Sequence, residues 1–128
     1  MTQREVISTE AAPAAVGPYS QAIRTGHLVF TAGQIGINPA TGKLVSEDTT
    51  TQAEQTLQNL SAILEAAGSS LSQVVKSTIF LTDINDYPAV NAVYSRFFDV
   101  DPPARSTVQV AALPLGARVE IEVIALVG

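Results

Sequence analysis

The hydrophobic period of this 128-residue chain alternates between strand and helix, and that alternation limits the folds open to it. Leu28-Val29-Phe30-Thr31 reads as a strand. Ala53, Leu57, Leu60, Leu64 and Ala67 then recur at helical spacing. Val74 to Leu81 returns to a strand, with Val75, Ser77, Ile79 and Leu81 on one face. Val90, Tyr94 and Phe97 form a second helical stripe, and Ser106 to Ala111 and Arg118 to Val127 are again strands. Arg4 to Ile7 adds a short strand at the start. The order predicts an α+β fold with one mixed sheet and both helices on one face, as a single domain over residues 1–128.

Local signals set the boundaries. Thr51 with Glu54 fits a capping box, and Gly68 fits a helix end, so the first helix is expected from about Thr50 to Ala67. Its Gln52, Glu54, Gln55 and Gln58 are expected mostly on the wet side. Asp86 is placed to cap the second helix, with Pro88 in its first turn. Ala11 to Pro18 is a small-residue loop, Asn38 to Gly42 a hairpin turn, and Pro114-Leu115-Gly116 another turn. Along the last strand Val119, Ile121, Val123, Ala125 and Val127 share one face, with Glu120 and Glu122 opposite. The pattern leaves open which face meets the helices. Either way an apolar face remains, and a subunit partner is the economical cover. The charged fraction of only 15%, against 46% apolar residues, points the same way.

Composition excludes several function classes. Net charge is -5 and the seven basic residues are scattered, which disfavours a nucleic-acid partner. With no cysteine and the single histidine His27, neither thiolate chemistry nor a zinc site is expected. No carboxylate cluster suggests another metal, and no glycine-rich phosphate loop is present. The start of the chain lacks a signal-peptide core and no apolar run could span a membrane, so a cytoplasmic protein is expected.

Two residues stand out chemically. Arg105 enters a strand after Pro103-Ala104, and Glu120 sits within an otherwise apolar strand. A guanidinium fork matches a carboxylate two bonds at a time, and a nearby glutamate could steer or activate water. Together they suggest a small pocket for a small carboxylic acid, with hydrolysis as the chemistry. Tyr19, after Gly17-Pro18, and Gly33, where the backbone could bulge or approach a ligand, are further candidates.

The motifs Gly17-Pro18-Tyr19-Ser20-Gln21-Ala22, Phe30-Thr31-Ala32-Gly33-Gln34-Ile35, Gln55-Thr56-Leu57-Gln58-Asn59-Leu60, Val90-Asn91-Ala92-Val93-Tyr94 with Phe97-Phe98, Pro103-Ala104-Arg105-Ser106 and Val119-Glu120-Ile121-Glu122 run in order over nearly the whole chain. Together they resemble the RidA (YjgF-type) family of reactive-intermediate imine deaminases. The resemblance implies a chorismate-mutase-like α+β fold with one mixed six-stranded sheet and two helices on one face, a homotrimer and active sites in the clefts between subunits. It implies hydrolysis of the 2-imino acids derived from 2-aminoacrylate and 2-aminocrotonate to 2-keto acids and ammonia, with no cofactor. Arg105 would hold the substrate carboxylate and Glu120 would position the water. Tyr19 would line the cleft, Gly33 would let the backbone approach the ligand, and Asn91 would face the cleft from the second helix. This chain departs from many members at Ala32, where they have Ser, and at Thr107, where they have Cys. The loop Asp99 to Pro102 looks shorter than in some members. Competing readings are an endoribonuclease or translation inhibitor, and a non-catalytic binder of small keto acids.

Overall fold

Helix formation begins one residue after a carboxylate. In the computed structural model, which describes residues 3–128, Asp48 is the N-cap of α1 (Thr49–Ala66). Its Oδ2 accepts from the Thr51 amide at 3.0 Å and from the Thr51 hydroxyl at 2.9 Å. These bonds, the backbone one first, hold the Asp48 carboxyl below its ordinary pKa. The capping box expected at Thr51 and Glu54 is thus corrected: Thr51 lies in the first turn, satisfied by the stronger acceptor before it. At the other end Gly68, in the left-handed region with φ 82°, lets the Ser69 amide return to the Leu64 carbonyl at 2.8 Å.

The second helix, α2 (Tyr87–Phe97), starts differently. Asp86 occupies the N-cap position but makes no capping bond. Its Oδ2 accepts from the Thr49 hydroxyl at 2.9 Å, tying the start of α2 to the start of α1. Val90, Val93 and Tyr94 are buried, and Phe97 is only half-buried while Phe98 completes the stripe.

The strands are β1 (Arg4–Ile7), β2 (Ala22–Thr25), β3 (Leu28–Thr31), β4 (Ile37–Asn38), β5 (Lys43–Leu44), β6 (Val74–Leu81), β7 (Ala104–Gln109) and β8 (Val119–Leu126). Six make one sheet in the order β1-β2-β3-β8-β6-β7, and β4 pairs with β5 in a small hairpin. Only β6 and β7 run parallel, joined by the α2 crossover; the other neighbours are antiparallel. The six-stranded mixed sheet with two helices on one face is as expected. β2 was not anticipated, because Ala22-Ile23-Arg24-Thr25 has too little apolar alternation; it forms by pairing with β3. β7 begins two residues earlier than expected, which places Arg105 inside the strand.

β8 decides the sheet's two faces. Val119, Ile121, Val123 and Ala125 are buried beneath the helices with Leu57, Leu60, Ile63 and Leu64 of α1. Each buried Val, Leu or Ile side chain among them contributes about 1.5–3 kcal/mol. Glu120 and Glu122 therefore lie on the helix-free face. There Val6, Phe30, Val108 and Leu126 remain exposed, so the chain leaves much of that face apolar. A bulge between Val74 and Lys76 corrects one expectation: Val74 turns inward and Val75 is 41% exposed. Gln52 is a second correction. It is buried, accepting from the Arg118 amide at 2.8 Å and donating to the Ser46 carbonyl at 2.9 Å. Among the described residues no helix is long and apolar enough to cross a membrane.

Candidate active site

Arg105 projects from β7 toward α2. Its guanidinium carbon lies 4.8 Å from the Tyr94 ring centroid and 5.4 Å from that of Tyr87, within cation–π range of both. Its Nη2 donates to the Tyr87 hydroxyl at 2.7 Å. Tyr94 is held in turn by a buried 2.6 Å hydrogen bond between its hydroxyl and Ser77 Oγ. Burial pushes the Tyr94 pKa up, against the effects of the Ser77 bond and the Arg105 charge. Among the described residues the one ion pair within 4.0 Å is Arg96–Glu54, so Arg105 has no acidic partner there. A half-buried guanidinium stacked on aromatic rings without a carboxylate is suited to an acid from outside the chain. Asn91 lies one helical turn from Tyr87 and near Tyr94 on the same stripe of α2, half-buried.

Glu120 belongs to a different place. It lines a cavity of about 500 Å³ with Tyr19, Gly33 and Val16. Burial first, and the like charge of Glu122 second, raise its carboxyl pKa above the ordinary 4.5. Gln34 pairs with Ile121 through both backbone groups, at 2.9 and 3.0 Å, and that bridge brings Gly33 against Glu120. A Cβ on Gly33 would lie 2.7 Å from Glu120 Cδ. Glycine is needed there for space: the residue that could meet a ligand closely first meets this carboxylate.

Buried amides hold the walls of this cavity. Gln21 accepts from the Thr9 amide at 2.7 Å and donates to the Thr9 and Pro13 carbonyls at 3.0 and 2.7 Å, fixing the loop that presents Tyr19. Tyr19 itself is half exposed, its hydroxyl accepting from the Val16 amide at 3.4 Å. Asn59 of α1 donates to the Ile35 and Ile37 carbonyls at 3.3 and 2.9 Å, pinning the segment after Gly33. Sequence reasoning gave Gln21 and Asn59 no such role. In the sequence a buried amide looks like any solvated one until the tertiary contacts are known.

The structure thus brings Tyr19, Gly33 and Glu120 together and places Arg105 and Asn91 elsewhere. β6 lies between β7 and β8, with Arg105 opposite Ser77 and Glu120 opposite Phe80. Two strand spacings put roughly 10 Å between them across the sheet, three residues add roughly 10 Å along it, and their side chains leave opposite faces. Arg105 and Glu120 of the same chain therefore do not share one pocket. Tyr87 and Tyr94 were also missed as companions of Arg105. Their spacing with Asn91 on one face of α2 was the available signal.

Comparison with known proteins fits this geometry into a family. The family model described as endoribonuclease L-PSP matches residues 9–127. Reactive Intermediate Deaminase A, chloroplastic, of Arabidopsis thaliana is 55% identical over 123 residues, covering 96% of this chain and 66% of that protein. The 2-iminobutanoate/2-iminopropanoate deaminase of Capra hircus is 51% identical over 125 residues, covering 98% and 91%. The crystal structure of E. coli TdcF with bound serine superposes with a TM-score of 0.93 at 45% identity, covering 97% of this chain and 99% of that one. With a family model and close relatives spanning nearly its whole length, the chain belongs to the endoribonuclease L-PSP family, the YjgF/RidA family.

Proposed function

We propose that the protein hydrolyses small 2-imino acids, 2-iminopropanoate and 2-iminobutanoate, to 2-keto acids and ammonia. The observation that carries this reading is Arg105, bracketed by two tyrosines and without a carboxylate partner among the described residues. Relatives named as 2-iminobutanoate/2-iminopropanoate deaminases, and a structural neighbour holding serine, support a small α-substituted acid as the ligand. No cofactor enters this reading.

Arg105 binds the substrate carboxylate through the N–H groups that Tyr87 does not engage. The imine carbon is already electrophilic, so water suffices as nucleophile. Glu120 accepts a proton as that water adds to the carbon, and the proton passes to nitrogen. The resulting amino alcohol collapses to the keto acid as its hydroxyl proton moves to the amino nitrogen, the C=O bond forms, the C–N bond breaks and ammonia leaves. A carboxylate whose pKa is raised by burial is a better-matched base near neutral pH.

Arg105 and Glu120 of one chain cannot reach one small acid, so each site takes them from two copies. A homotrimer closed over the apolar, helix-free sheet face supplies that arrangement, and the unit that assembles is the single domain of residues 1–128. Tyr19, Gly33 and Glu120 come from one copy, Arg105 and Asn91 from the next. The proposed compartment is the cytoplasm; the Arabidopsis relative is named for the chloroplast, so family membership does not fix it. RNA is not a partner in this reading, because the chain carries a net charge of -5.

The test generates 2-aminoacrylate in situ and follows pyruvate release with and without the protein. Arg105→Ala and Glu120→Gln should each keep about 1% of the activity or less. Refolded together in equal amounts, they should regain about a quarter of wild-type activity, since random assembly makes that fraction of shared sites intact. A site contained in one chain would regain none. RNA cleavage lost in Arg105→Ala, with no imine hydrolysis by the wild type, would establish the ribonuclease reading instead.

A further inference from the structure

The two tyrosines beside Arg105 present similar rings but differ in what their hydroxyls can do. Tyr94 spends its hydroxyl on Ser77, in a buried 2.6 Å hydrogen bond. Tyr87 is 37% exposed, and its oxygen accepts from Arg105 Nη2 at 2.7 Å. A phenol oxygen that accepts from a guanidinium keeps its own proton for another acceptor. Accepting from a cation also polarises the O–H bond and makes it a stronger donor. No protein oxygen among the described residues takes that proton. The unused donor therefore lies one hydrogen bond from the group that grips the acid, at the first residue of α2 and on the stripe that carries Asn91.

We infer that Tyr87 is a substrate-binding residue whose hydroxyl donates to the same carboxylate that Arg105 binds. This rests on the reading that a 2-imino acid docks on Arg105. The acid is then held by the guanidinium fork and by one phenolic O–H. The fork stays available, because Tyr87 uses one N–H of Nη2 and leaves its second N–H and the rest of the guanidinium free. The tyrosine ring also shields one side of the ion pair from water.

Tyr87→Phe keeps the ring and its contact with the guanidinium and removes only the hydroxyl. Pyruvate, the product, serves as the binding probe in calorimetry on the full-length protein. The variant should bind pyruvate about tenfold more weakly, the effect of one hydrogen bond to a charged group. KM for the imine should rise by the same factor with kcat unchanged. A crystal structure with pyruvate should place a carboxylate oxygen within about 3 Å of the Tyr87 oxygen. Full-strength pyruvate binding by Tyr87→Phe, or a Tyr87 oxygen out of reach of the bound carboxylate, overturns this inference and leaves the deaminase reading standing. Failure of the wild-type protein both to bind pyruvate and to hydrolyse the imine overturns both together.

Discussion

The surroundings of Arg105 and of Glu120 are built on different principles. Arg105 is held by side chains: two aromatic rings, one of them pinned to Ser77 in the core. Glu120 is held by backbone: a glycine with no room for a Cβ, and loops fastened by Gln21 and Asn59. The first arrangement fixes a permanent charge without neutralising it. The second partly desolvates an ionisable group and raises its pKa. A guanidinium fork works by its orientation and a carboxylate by its proton affinity, so the proposed roles of the two residues call for these two different settings.

The largest expected effect tests the rigidity of the Arg105 setting. Arg105→Ala should cost roughly 10³-fold in kcat/KM, as removal of one partner of a hydrogen-bonded charge pair does. Arg105→Lys should recover little of it, because an ammonium cannot present a planar fork. Near-native turnover by Arg105→Lys would show that only charge matters there.

Next comes the proton affinity of Glu120. Glu120→Gln should lower kcat roughly 10²-fold, the lower range for lost general-base catalysis, with pyruvate binding little changed. Wild-type activity should rise with pH through a pKa above 4.5. Stability runs the opposite way. Between 4.5 and the raised value the folded state holds more protons than the unfolded one, so stability falls as pH rises across that window. Glu120→Gln should remove this dependence, stabilising the protein at neutral pH and less so below pH 4.5. An unchanged pH–stability curve in the variant would refute the desolvated carboxylate.

A pair of glycines sharpens the contrast between space for a site and space for a fold. A methyl at Gly33 meets the end of a flexible side chain, while one at Gly36 lies 2.7 Å from Gln52 Cα, a backbone atom of α1. Gly33→Ala should cost about tenfold in activity by displacing the Glu120 carboxylate, with little change in melting temperature. Gly36→Ala should destabilise the fold by about 1–3 kcal/mol. Equal melting losses would show that Gly33 serves the fold after all.

The smallest expected effect concerns the loop anchor. Gln21→Ala leaves the Thr9 amide and the Thr9 and Pro13 carbonyls without their partner. It should cost about 1–3 kcal/mol of stability and raise KM with kcat nearly intact, as Tyr19 loses its support. A KM unaffected by this change would remove the N-terminal loop from the binding site.

The helices, the strands β3, β6 and β8, and the residues Arg105 and Glu120 were all legible in the sequence, because hydrophobic period and misplaced charge are local signals. So was the family, through six motifs in order. What the sequence could not supply was any quantity set by a neighbour distant in the chain. The strand β2 exists because β3 pairs with it; Asp86 gives its carboxylate to Thr49 rather than to its own helix; Gln52 is buried because Arg118 needs an acceptor. Most of all, alternation along β8 put Glu120 and Val119 on opposite faces but left open which face the helices would cover. Tertiary packing settled that choice in favour of Val119, because aliphatic side chains can be sealed under a helix and carboxylates cannot. The same choice put Glu120 on the open face and left Arg105 on the other, so that two residues proposed to serve one reaction stand apart in the folded chain.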